Sequence, residues 1–316
     1  MPIESATLIY NPIAGRHPRQ REREIQKAAQ ALDAAGTAVE LAPTSGPGAA
    51  VELAREAARK GSELVLVCGG DGTINEAVNG LATTSVPLGI LPGGTANIIA
   101  KELRLPHDPA RAARELSRWS PRRIALGRAS WNAPGAEASG NNSRICRYFL
   151  SVAGVGFDAH IVYKLSSAMK MSLGVAGYVF EAIRQSVRYP FPVFTCQVNG
   201  EERRATFAVI QRTRVYAGWL HTAPSANLFE PRFALCLFRS RSTARYLLYA
   251  TALLARQHLR LRDVELVHAA KVTCTPAQPA DTIRFEVDGE LAGTLPVTFE
   301  IVPDALTLLV PPQTGN

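Results

Sequence analysis

Two successive strand–loop–helix passages between Leu64 and Leu103 constrain this chain more than any other feature of its sequence. Residues 64–67 form a short apolar run bounded by glycine, which is typical of a buried strand. The glycine-rich run 69–72 follows and leaves no room for regular structure. Residues 88–91 repeat the strand and Gly93-Gly94 repeats the loop, so the pattern predicts two βα units in tandem.

A helix start follows each of the two loops. Thr73 and Glu76 have the spacing of a capping box, which predicts a helix that begins at about Ile74. The second helix opens at Thr95-Ala96-Asn97. The glycines before each helix allow positive φ and close approach of a ligand, and helix N-termini offer unpaired N–H groups with a partial positive charge. Together these properties favour phosphate binding.

Asp71 is the carboxylate among these glycines. Beside a phosphate site, such a side chain can hold a metal ion, accept a proton or contact a hydroxyl group. A simpler interpretation is two tight βα turns with Asp71 in solvent, and a short motif is only a hypothesis until its context is known. Because both loops occur in one segment, phosphate binding is the favoured interpretation.

The first half of the chain alternates strands with helices. Strands are predicted at 6–10 and 38–41 and helices at 19–35 and 51–59, ahead of the two units above. This alternation predicts a doubly wound parallel sheet, in which ligands bind at the carboxyl ends of the strands. Four loops lie at that edge: 11–16, 44–48, 69–73 and 92–97.

The pattern changes near Pro121. A strand at 124–129, a surface loop at 131–143, a turn at 154–158 and a helix at 161–189 are predicted. Beyond Pro190 come short apolar runs, and Asn199-Gly200 between two of them is a strong hairpin signal. Strands are predicted at 194–198, 204–211, 233–238, 263–268, 271–275, 283–287, 294–302 and 305–310, with a helix at 243–257. The second half is therefore expected to be mostly antiparallel β-structure.

Composition narrows the class of protein. A length of 316 residues is enough for two domains, and 47% apolar with 20% charged residues excludes a disordered chain. The net charge of +8 suits anionic partners such as phosphates, nucleic acid or a membrane face, although a solvated basic surface is the alternative.

Five widely spaced cysteines without a CxxC pair argue against a zinc site or a disulfide framework and favour a reducing compartment. No signal-peptide pattern is visible, and the apolar run 246–255 is too short to span a bilayer.

Three motifs follow one another along the predicted carboxyl edge of the sheet: NPIAG at 11–15, GGDGTINE at 69–76 and LPGGTAN at 91–97. In order and approximate spacing they resemble the catalytic domain of the diacylglycerol kinase family, which includes sphingosine and ceramide kinases and soluble bacterial lipid kinases. GVGFD at 154–158 and DGE at 288–290 resemble the bacterial members too. The resemblance therefore spans nearly the whole chain.

The resemblance implies an NAD kinase/diacylglycerol kinase-like fold of class α/β + β. A doubly wound α/β nucleotide-binding domain would be followed by an antiparallel β-sandwich lipid-binding domain, with the active site in the interdomain cleft. The expected boundaries are 1–125 for the first domain, rejoined by 303–316, and 126–302 for the second.

The same resemblance implies roles for individual residues. ATP contacts are expected at Thr44 and Thr95 and along one continuous run, which consists of Gly70, Asp71, Gly72, Thr73, Ile74, Asn75 and Glu76. Glu290 is expected to be the general base, and Asp71 to position the catalytic Mg²⁺ or the acceptor hydroxyl. Asn11 and Arg16 could also contact nucleotide or acceptor, or simply form a turn. For Glu290, an exposed place in a hairpin turn is the alternative.

A second magnesium ion is implied on the second domain, bound by one carboxylate and nearby carbonyls of the stretch 224–232. The implied residues are Asn227, Glu230 and Arg232. The chain departs from the family here, because Glu230 and Pro231 stand where Asp and usually Gly are found. It also has IIAK at 98–101 where many members have Asp-Phe-Ala-Arg, so a carboxylate is lost.

The sequence thus predicts an ATP- and Mg²⁺-dependent kinase of a diacylglycerol-like lipid. An NAD-kinase-like or other small-molecule kinase and a non-catalytic lipid- or nucleotide-binding regulator are the alternatives. Arginines on both sides of 246–254 predict either contact with an anionic membrane or a packed helix with snorkelling arginines. The expected location is the cytoplasm, peripheral at the inner membrane face, with no nucleic-acid partner.

Overall fold

The computed structural model describes residues 3–13, 18–133, 143–164, 184–217 and 219–312. The chain divides into two compact units. One consists of Met1–Leu126 and Pro303–Asn316, and the other of Gly127–Val302.

The first unit is a parallel sheet with helices. Its strands are β1 (Ser5–Tyr10), β2 (Ala38–Pro43), β3 (Leu64–Gly69), β4 (Pro87–Pro92) and the end of β16 (Val297–Val310), and its helices are α1 (Pro18–Asp33), α2 (Ala49–Arg59), α3 (Asp71–Leu81), α4 (Ile98–Glu102) and α5 (Pro109–Glu115). The sheet order is β2-β1-β3-β4-β16, with every neighbouring pair parallel. All six residues of β3 are buried, as expected of an interior strand with both faces covered.

Small residues let the helices of this unit approach closely. Ala50, Ala54 and Ala57 are the buried side of α2. A Cβ atom at Gly80 of α3 would lie 2.5 Å from the carbonyl oxygen of Val51 and 2.7 Å from the Cβ of Ala54. Glycine at position 80 therefore sets the distance between α2 and α3, which follow two of the loops expected to bind ligand.

The second unit is built from two antiparallel sheets. Its strands are part of β5 (Ser120–Asn132), β6 (Arg144–Phe149), β7 (Val152–Gly156), β8 (Phe194–Val198), β9 (Glu201–Ala205), β10 (Phe207–Gln211), β11 (Phe233–Phe238), β12 (Val264–Ala269), β13 (Lys271–Pro276), β14 (Arg284–Val287), β15 (Glu290–Thr294) and the start of β16; its helices are α6 (Phe157–Lys164) and α7 (Thr243–Leu254). One sheet has the order β12-β11-β10-β7-β14-β15, and in the other β13 pairs with β16 and β8. Phe149, Phe285 and Phe299 belong to a core cluster that takes side chains from both sheets.

The predicted fold class, an α/β unit with a parallel sheet followed by an antiparallel β-sandwich, is confirmed. The Asn199-Gly200 hairpin is also confirmed, since it joins β8 to β9 with positive φ at both residues. Among the described residues, no helix is long and apolar enough to cross a bilayer.

Three local predictions are wrong. The glycines of GVGFD do not form a turn, because residues up to Gly156 belong to the buried strand β7 and Phe157 begins α6. Pro303 and Asp304 do not separate two strands, because β16 continues through them with Asp304 at φ 47°. Trp131 belongs to β5 and not to a surface loop.

Some predictions fall partly outside the described residues. These are Ala14, Gly15 and Arg16 of the first loop, residues 134–142 of the predicted surface loop and residues 165–183 of the predicted helix at 161–189.

Candidate functional site

The two glycine loops of the first unit pack directly on each other. Gly93 N donates to the carbonyl oxygen of Gly69 at 3.1 Å. A Cβ atom at Gly94 would lie 2.5 Å from the Cα of Gly70, and one at Gly93 would lie 2.9 Å from Gly69 N. None of these four glycines has positive φ, so the left-handed conformations that glycine allows are not used here. What glycine supplies at these positions is room for two backbones to touch.

Asp71 links these loops as the first residue of α3. One of its carboxylate oxygens, Oδ1, accepts a hydrogen bond from Ile98 N at 2.7 Å, at the start of α4. The side chain is half-buried, and this burial raises its pKa, while hydrogen bonds from the Ile98 and Asn97 backbone act in the opposite direction. Asp71 is therefore a positioned carboxylate and not a solvated one.

Asn97 closes the second loop. Its Oδ1 accepts from Gly94 N at 2.8 Å and its Nδ2 donates to Gly94 O at 2.9 Å. Its backbone is left-handed, with φ 49°, a conformation that asparagine tolerates well. The final residue of the LPGGTAN motif thus shapes the loop that precedes α4.

Glu76 does not form the predicted capping box. The helix begins at Asp71, with Gly70 as a cap that makes no side-chain hydrogen bond. The Glu76 carboxylate instead accepts from Gly48 N at 2.8 Å and Ala50 N at 3.1 Å, at the start of α2. A carboxylate there satisfies unpaired N–H groups and suits the positive end of the helix dipole. The prediction was wrong because the side chain found a partner in a neighbouring helix.

The other residues expected at the nucleotide lie in different environments. Ile74 and Asn75 are buried, so their side chains face the interior of the unit. Thr73 packs against Gly69, where a Cβ atom would lie 2.7 Å from the Thr73 Cβ. Thr95 is exposed and Thr44 is half-buried.

The loop after β1 is turned back by Asn11. Its side-chain oxygen accepts from Ile13 N at 3.0 Å, and its backbone N–H donates to Cys68 O at 3.2 Å. Asn11 therefore forms a turn, which was the alternative to a contact with nucleotide or acceptor. This turn places residue 11 beside the end of β3. Gly70 and Gly72 are half-buried at the same edge of the sheet.

Arg21 is a buried residue of this region that the sequence pattern did not indicate. It lies on α1, only 5% exposed, and its Nη2 donates to Gly93 O. Its Nη1 lies 3.1 Å from Glu24 and 3.6 Å from the sulfur of Cys68. The run RQRERE at 19–24 reads as a solvated helix face, so no signal marked Arg21 as the cation beneath the glycine loop.

The DGE motif of the second unit forms a tight turn between β14 and β15. Asp288 and Gly289 have φ 48° and 81°, as a two-residue hairpin loop requires. The Asp288 carboxylate accepts from three successive backbone N–H groups, those of Leu150, Ser151 and Val152, at 2.9 to 3.0 Å. The hairpin is thus fixed to the segment between β6 and β7.

Glu290 follows that turn with its side chain 45% exposed. Its carboxylate pairs with the guanidinium of Arg147 on β6. The structure thus places the Glu290 carboxylate and its cationic partner directly after the hairpin turn.

An apolar cavity of about 270 Å³ lies within the second unit. Aromatic and aliphatic side chains form its wall, among them Phe157, Phe207, Tyr216, Tyr246, Tyr249 and Leu253. Leu247, Leu254 and Trp219 also line it and are 43%, 55% and 44% exposed. A concave apolar surface of this kind suits a hydrocarbon group.

The arginine-flanked helix α7 packs on the rest of the second unit through Tyr246, Tyr249 and Ala252. Arg245 donates to Asp263 at 2.5 and 2.7 Å, and this pair together with the Tyr249 hydroxyl lowers the pKa of Asp263 to about 2. Arg239 pairs with Glu265. Arg245 and Arg239 therefore form ion pairs within the second unit, as is expected of a packed helix with snorkelling arginines.

The stretch implied to bind a second magnesium ion does not fit one. Glu230 accepts from Arg232 Nε at 2.5 Å and from Asn227 Nδ2 at 3.1 Å, and the guanidinium foremost lowers the pKa of this carboxyl. The Asn227 side-chain oxygen is used by Phe229 N at 3.0 Å. No group of three or more His, Cys, Asp or Glu residues in the described part of the chain could hold a metal ion.

Comparison with known proteins gives two family matches. The diacylglycerol kinase catalytic domain matches residues 5–129, and the YegS C-terminal NAD kinase beta sandwich-like domain matches residues 151–310. The diacylglycerol kinase of Bacillus subtilis (strain 168) is 26% identical over 302 residues, covering 94% of this chain and 93% of that protein. The diacylglycerol kinase of Mycobacterium tuberculosis (strain ATCC 25618 / H37Rv) is 30% identical over 265 residues, covering 82% and 80%.

Solved structures agree in fold. The crystal structure of a diacylglycerol kinase from Bacillus anthracis str. Sterne has a TM-score of 0.71 and 19% identity, covering 98% of each chain. A second structure from the same organism has a TM-score of 0.79 and 21% identity, covering 99% of this chain and 97% of the other.

Proposed function

The chain belongs to the diacylglycerol kinase catalytic-domain family, and from this premise we propose that it is an ATP-dependent lipid kinase. In the proposed reaction the γ-phosphoryl group of ATP passes to a lipid hydroxyl such as that of a diacylglycerol.

The proposed triphosphate site is the pair of packed glycine loops. Gly70, Gly72 and Thr95 lie at the carboxyl edge of the parallel sheet, where backbone N–H groups at the start of α3 favour phosphate oxygens. Asp71 supplies the carboxylate, and a Mg²⁺ ion bound with ATP would neutralise phosphate charge there. One or two carboxylates plus phosphate oxygens are the usual ligands of such an ion, so Asp71 fits that role.

Glu290 is the proposed general base. The lipid hydroxyl oxygen attacks the γ-phosphorus, the bond from that phosphorus to the β–γ bridging oxygen breaks, and ADP leaves. The hydroxyl proton passes to the Glu290 carboxylate. Arg147 holds this carboxylate in place before the transfer.

The single observation that carries the lipid assignment is the apolar cavity of the second unit. A sugar or a dinucleotide would need polar partners, whereas the wall around Phe157, Tyr246 and Leu253 offers mostly carbon atoms. We assign the cavity to the hydrocarbon part of the acceptor. Its exposed members Leu247, Leu254 and Trp219, with exposed arginines such as Arg256 nearby in sequence, suit an anionic bilayer surface at the cytoplasmic face.

The test incubates the protein with labelled ATP, Mg²⁺ and a panel of diacylglycerol, sphingosine, NAD and sugars. Label is expected in a lipid only, and Asp71→Asn and Glu290→Gln are each expected to lose at least about 100-fold in kcat. Label in NAD would identify an NAD-kinase-like enzyme, and no transfer at all would indicate a non-catalytic binding protein.

A matched pair of variants tests the cavity. Ala250→Trp fills a position that lines the cavity on α7, whereas Ala244→Trp changes an exposed position of the same helix that does not line it. The proposal expects a higher KM for lipid, with an unchanged KM for ATP, in Ala250→Trp only. Equal lipid kinetics in the two variants would refute the assignment of the cavity.

A further inference from the structure

Two acidic side chains are buried side by side in the second unit, next to the hairpin that carries Glu290. Asp158 on α6 is 2% exposed and Glu286 on β14 is 1% exposed. Both face Gly154, which is paired with Glu286 across the sheet: a Cβ atom at Gly154 would lie 1.9 Å from Asp158 Oδ2 and 2.8 Å from Glu286 Oε1. Glycine at position 154 therefore leaves room for the two carboxyl groups to hydrogen-bond to each other.

Each carboxyl group has a second partner on its far side. The hydroxyl of Tyr216 donates to Asp158 Oδ1. The backbone N–H of Gly289 donates to Glu286 Oε2 at 2.6 Å. Tyr216 lines the apolar cavity, and Gly289 is the middle residue of the DGE turn. One chain of hydrogen bonds thus runs from the wall of the cavity to the residue before Glu290.

Two ionised carboxylates cannot lie in contact away from water, because burial and mutual repulsion both favour a proton between them. Burial foremost, and then the charge of Asp158, raises the pKa of Glu286 well above its ordinary value. Tyr216 and Gly289 are both donors, so neither can accept a proton from the carboxyl pair. The hydrogen bond between the two carboxyl groups is satisfied when Glu286 is protonated and its O–H donates to an ionised Asp158.

The surrounding charges agree with this assignment. Asp288, on the same turn, also raises the pKa of Glu286. Arg212, a fully buried cation, interacts with Asp288. Within the described part of the chain, the groups that face the pair include Tyr216, Asp288 with Arg212 beyond it, and the Gly289 backbone.

We propose that Asp158 and Glu286 share one proton and act as positioning residues, which fix the DGE turn from the interior and join it to the wall of the apolar cavity. The role of Glu290 in this proposal rests on the proposed kinase function, whereas the shared proton does not.

The first test is thermal unfolding as a function of pH. The folded chain keeps a proton on Glu286 that the unfolded chain releases near the ordinary glutamate pKa of about 4.3. Stability from this group is therefore present at low pH and is lost as pH rises toward the raised folded-state pKa. Glu286→Gln keeps a donor toward Asp158 and an acceptor for Gly289 but cannot ionise. Its Tm relative to wild type is expected to increase as the pH rises above about 5.

Glu201→Gln is the matched control, since the Glu201 side chain in the same unit is 72% exposed. It is expected to follow the wild-type pH dependence. If Glu286→Gln also follows it, the shared proton is refuted. Should Glu286→Gln fail to fold, Asp158→Asn provides the same test, because an amide donor at residue 158 favours ionised Glu286 and removes the same slope.

The second test is kinetic and isolates positioning. Glu286→Ala frees the Gly289 N–H, so kcat is expected to fall about tenfold or more while KM for ATP stays unchanged, with Glu286→Gln restoring most of kcat. An unchanged kcat in Glu286→Ala would refute the positioning role. If wild type phosphorylates no lipid, or if Glu290→Gln is fully active, the proposed function fails instead, and the unfolding test still decides the shared proton.

Discussion

The carboxylate of Asp71 accepts a hydrogen bond of 2.7 Å from the backbone N–H of Ile98, joining the first residue of one helix to the first residue of the next. The same side chain is the proposed charged group of the triphosphate site. One residue thus holds two loops together and carries the charge, and substitution can separate these two roles.

Asp71→Asn keeps an oxygen that can accept from Ile98 N but removes the charge. We expect Tm close to wild type and kcat lower by about 100-fold or more, because the lost group acts electrostatically. Asp71→Ala removes the hydrogen bond as well and is expected to lower the unfolding free energy by about 1–3 kcal/mol. Denaturant unfolding and a lipid kinase assay measure the two effects. Equal stability of the two variants would contradict the linking role.

Gly94→Ala tests the contact between the glycine loops. The new methyl group would lie 2.5 Å from the Cα of Gly70, so the loops must separate. We expect a loss of about 1–3 kcal/mol in unfolding free energy and a raised KM for ATP. Gly46→Ala is the control for the unfolding free energy, since its Cβ would meet nothing within 4 Å and its φ is not positive. The idea fails if Gly94→Ala behaves like Gly46→Ala.

Glu76→Ala tests the carboxylate cap of α2. The side chain accepts from Gly48 N and Ala50 N, so its loss leaves two donors without a side-chain partner. A destabilisation of about 1–2 kcal/mol is expected, together with faster amide exchange at Ala50. Glu22→Ala, at an exposed position of α1, is the control. A capping box with Thr73 would instead increase exchange at the start of α3.

The pairing of Glu230 with Arg232 predicts that the second unit needs no divalent ion. Mg²⁺ or Ca²⁺ added without nucleotide should leave Tm unchanged, because a metal that bound the native state would raise it by mass action. EDTA should also leave Tm unchanged. A rise in Tm with Mg²⁺ that disappears in Glu230→Gln would show that the carboxylate exchanges its arginine for a metal.

Local patterns in the sequence were enough to identify the main elements. The alternation of apolar runs with amphipathic segments predicted the parallel sheet, and the β-rich pattern after Pro190 predicted the antiparallel half, because periodicity reports which face of an element is buried. Asn199-Gly200 predicted its hairpin, because the residues themselves favour positive φ. Contacts between side chains that are distant in sequence were not predicted. Glu76 has the spacing of a capping box and yet caps α2, and GVGFD has the glycines of a turn and yet lies in β7 and α6.

The class of fold and the two glycine loops follow from the sequence alone, since they depend on local propensity and burial pattern. The three-dimensional structure was needed to show that Arg21 lies beneath Gly93, that Glu230 pairs with a guanidinium, and that Asp158 meets Glu286. These contacts could not be predicted because the partner of a charge depends on distance in space. Residues 158 and 286 are far apart along the chain, and it is the pairing of β7 with β14 that brings them together.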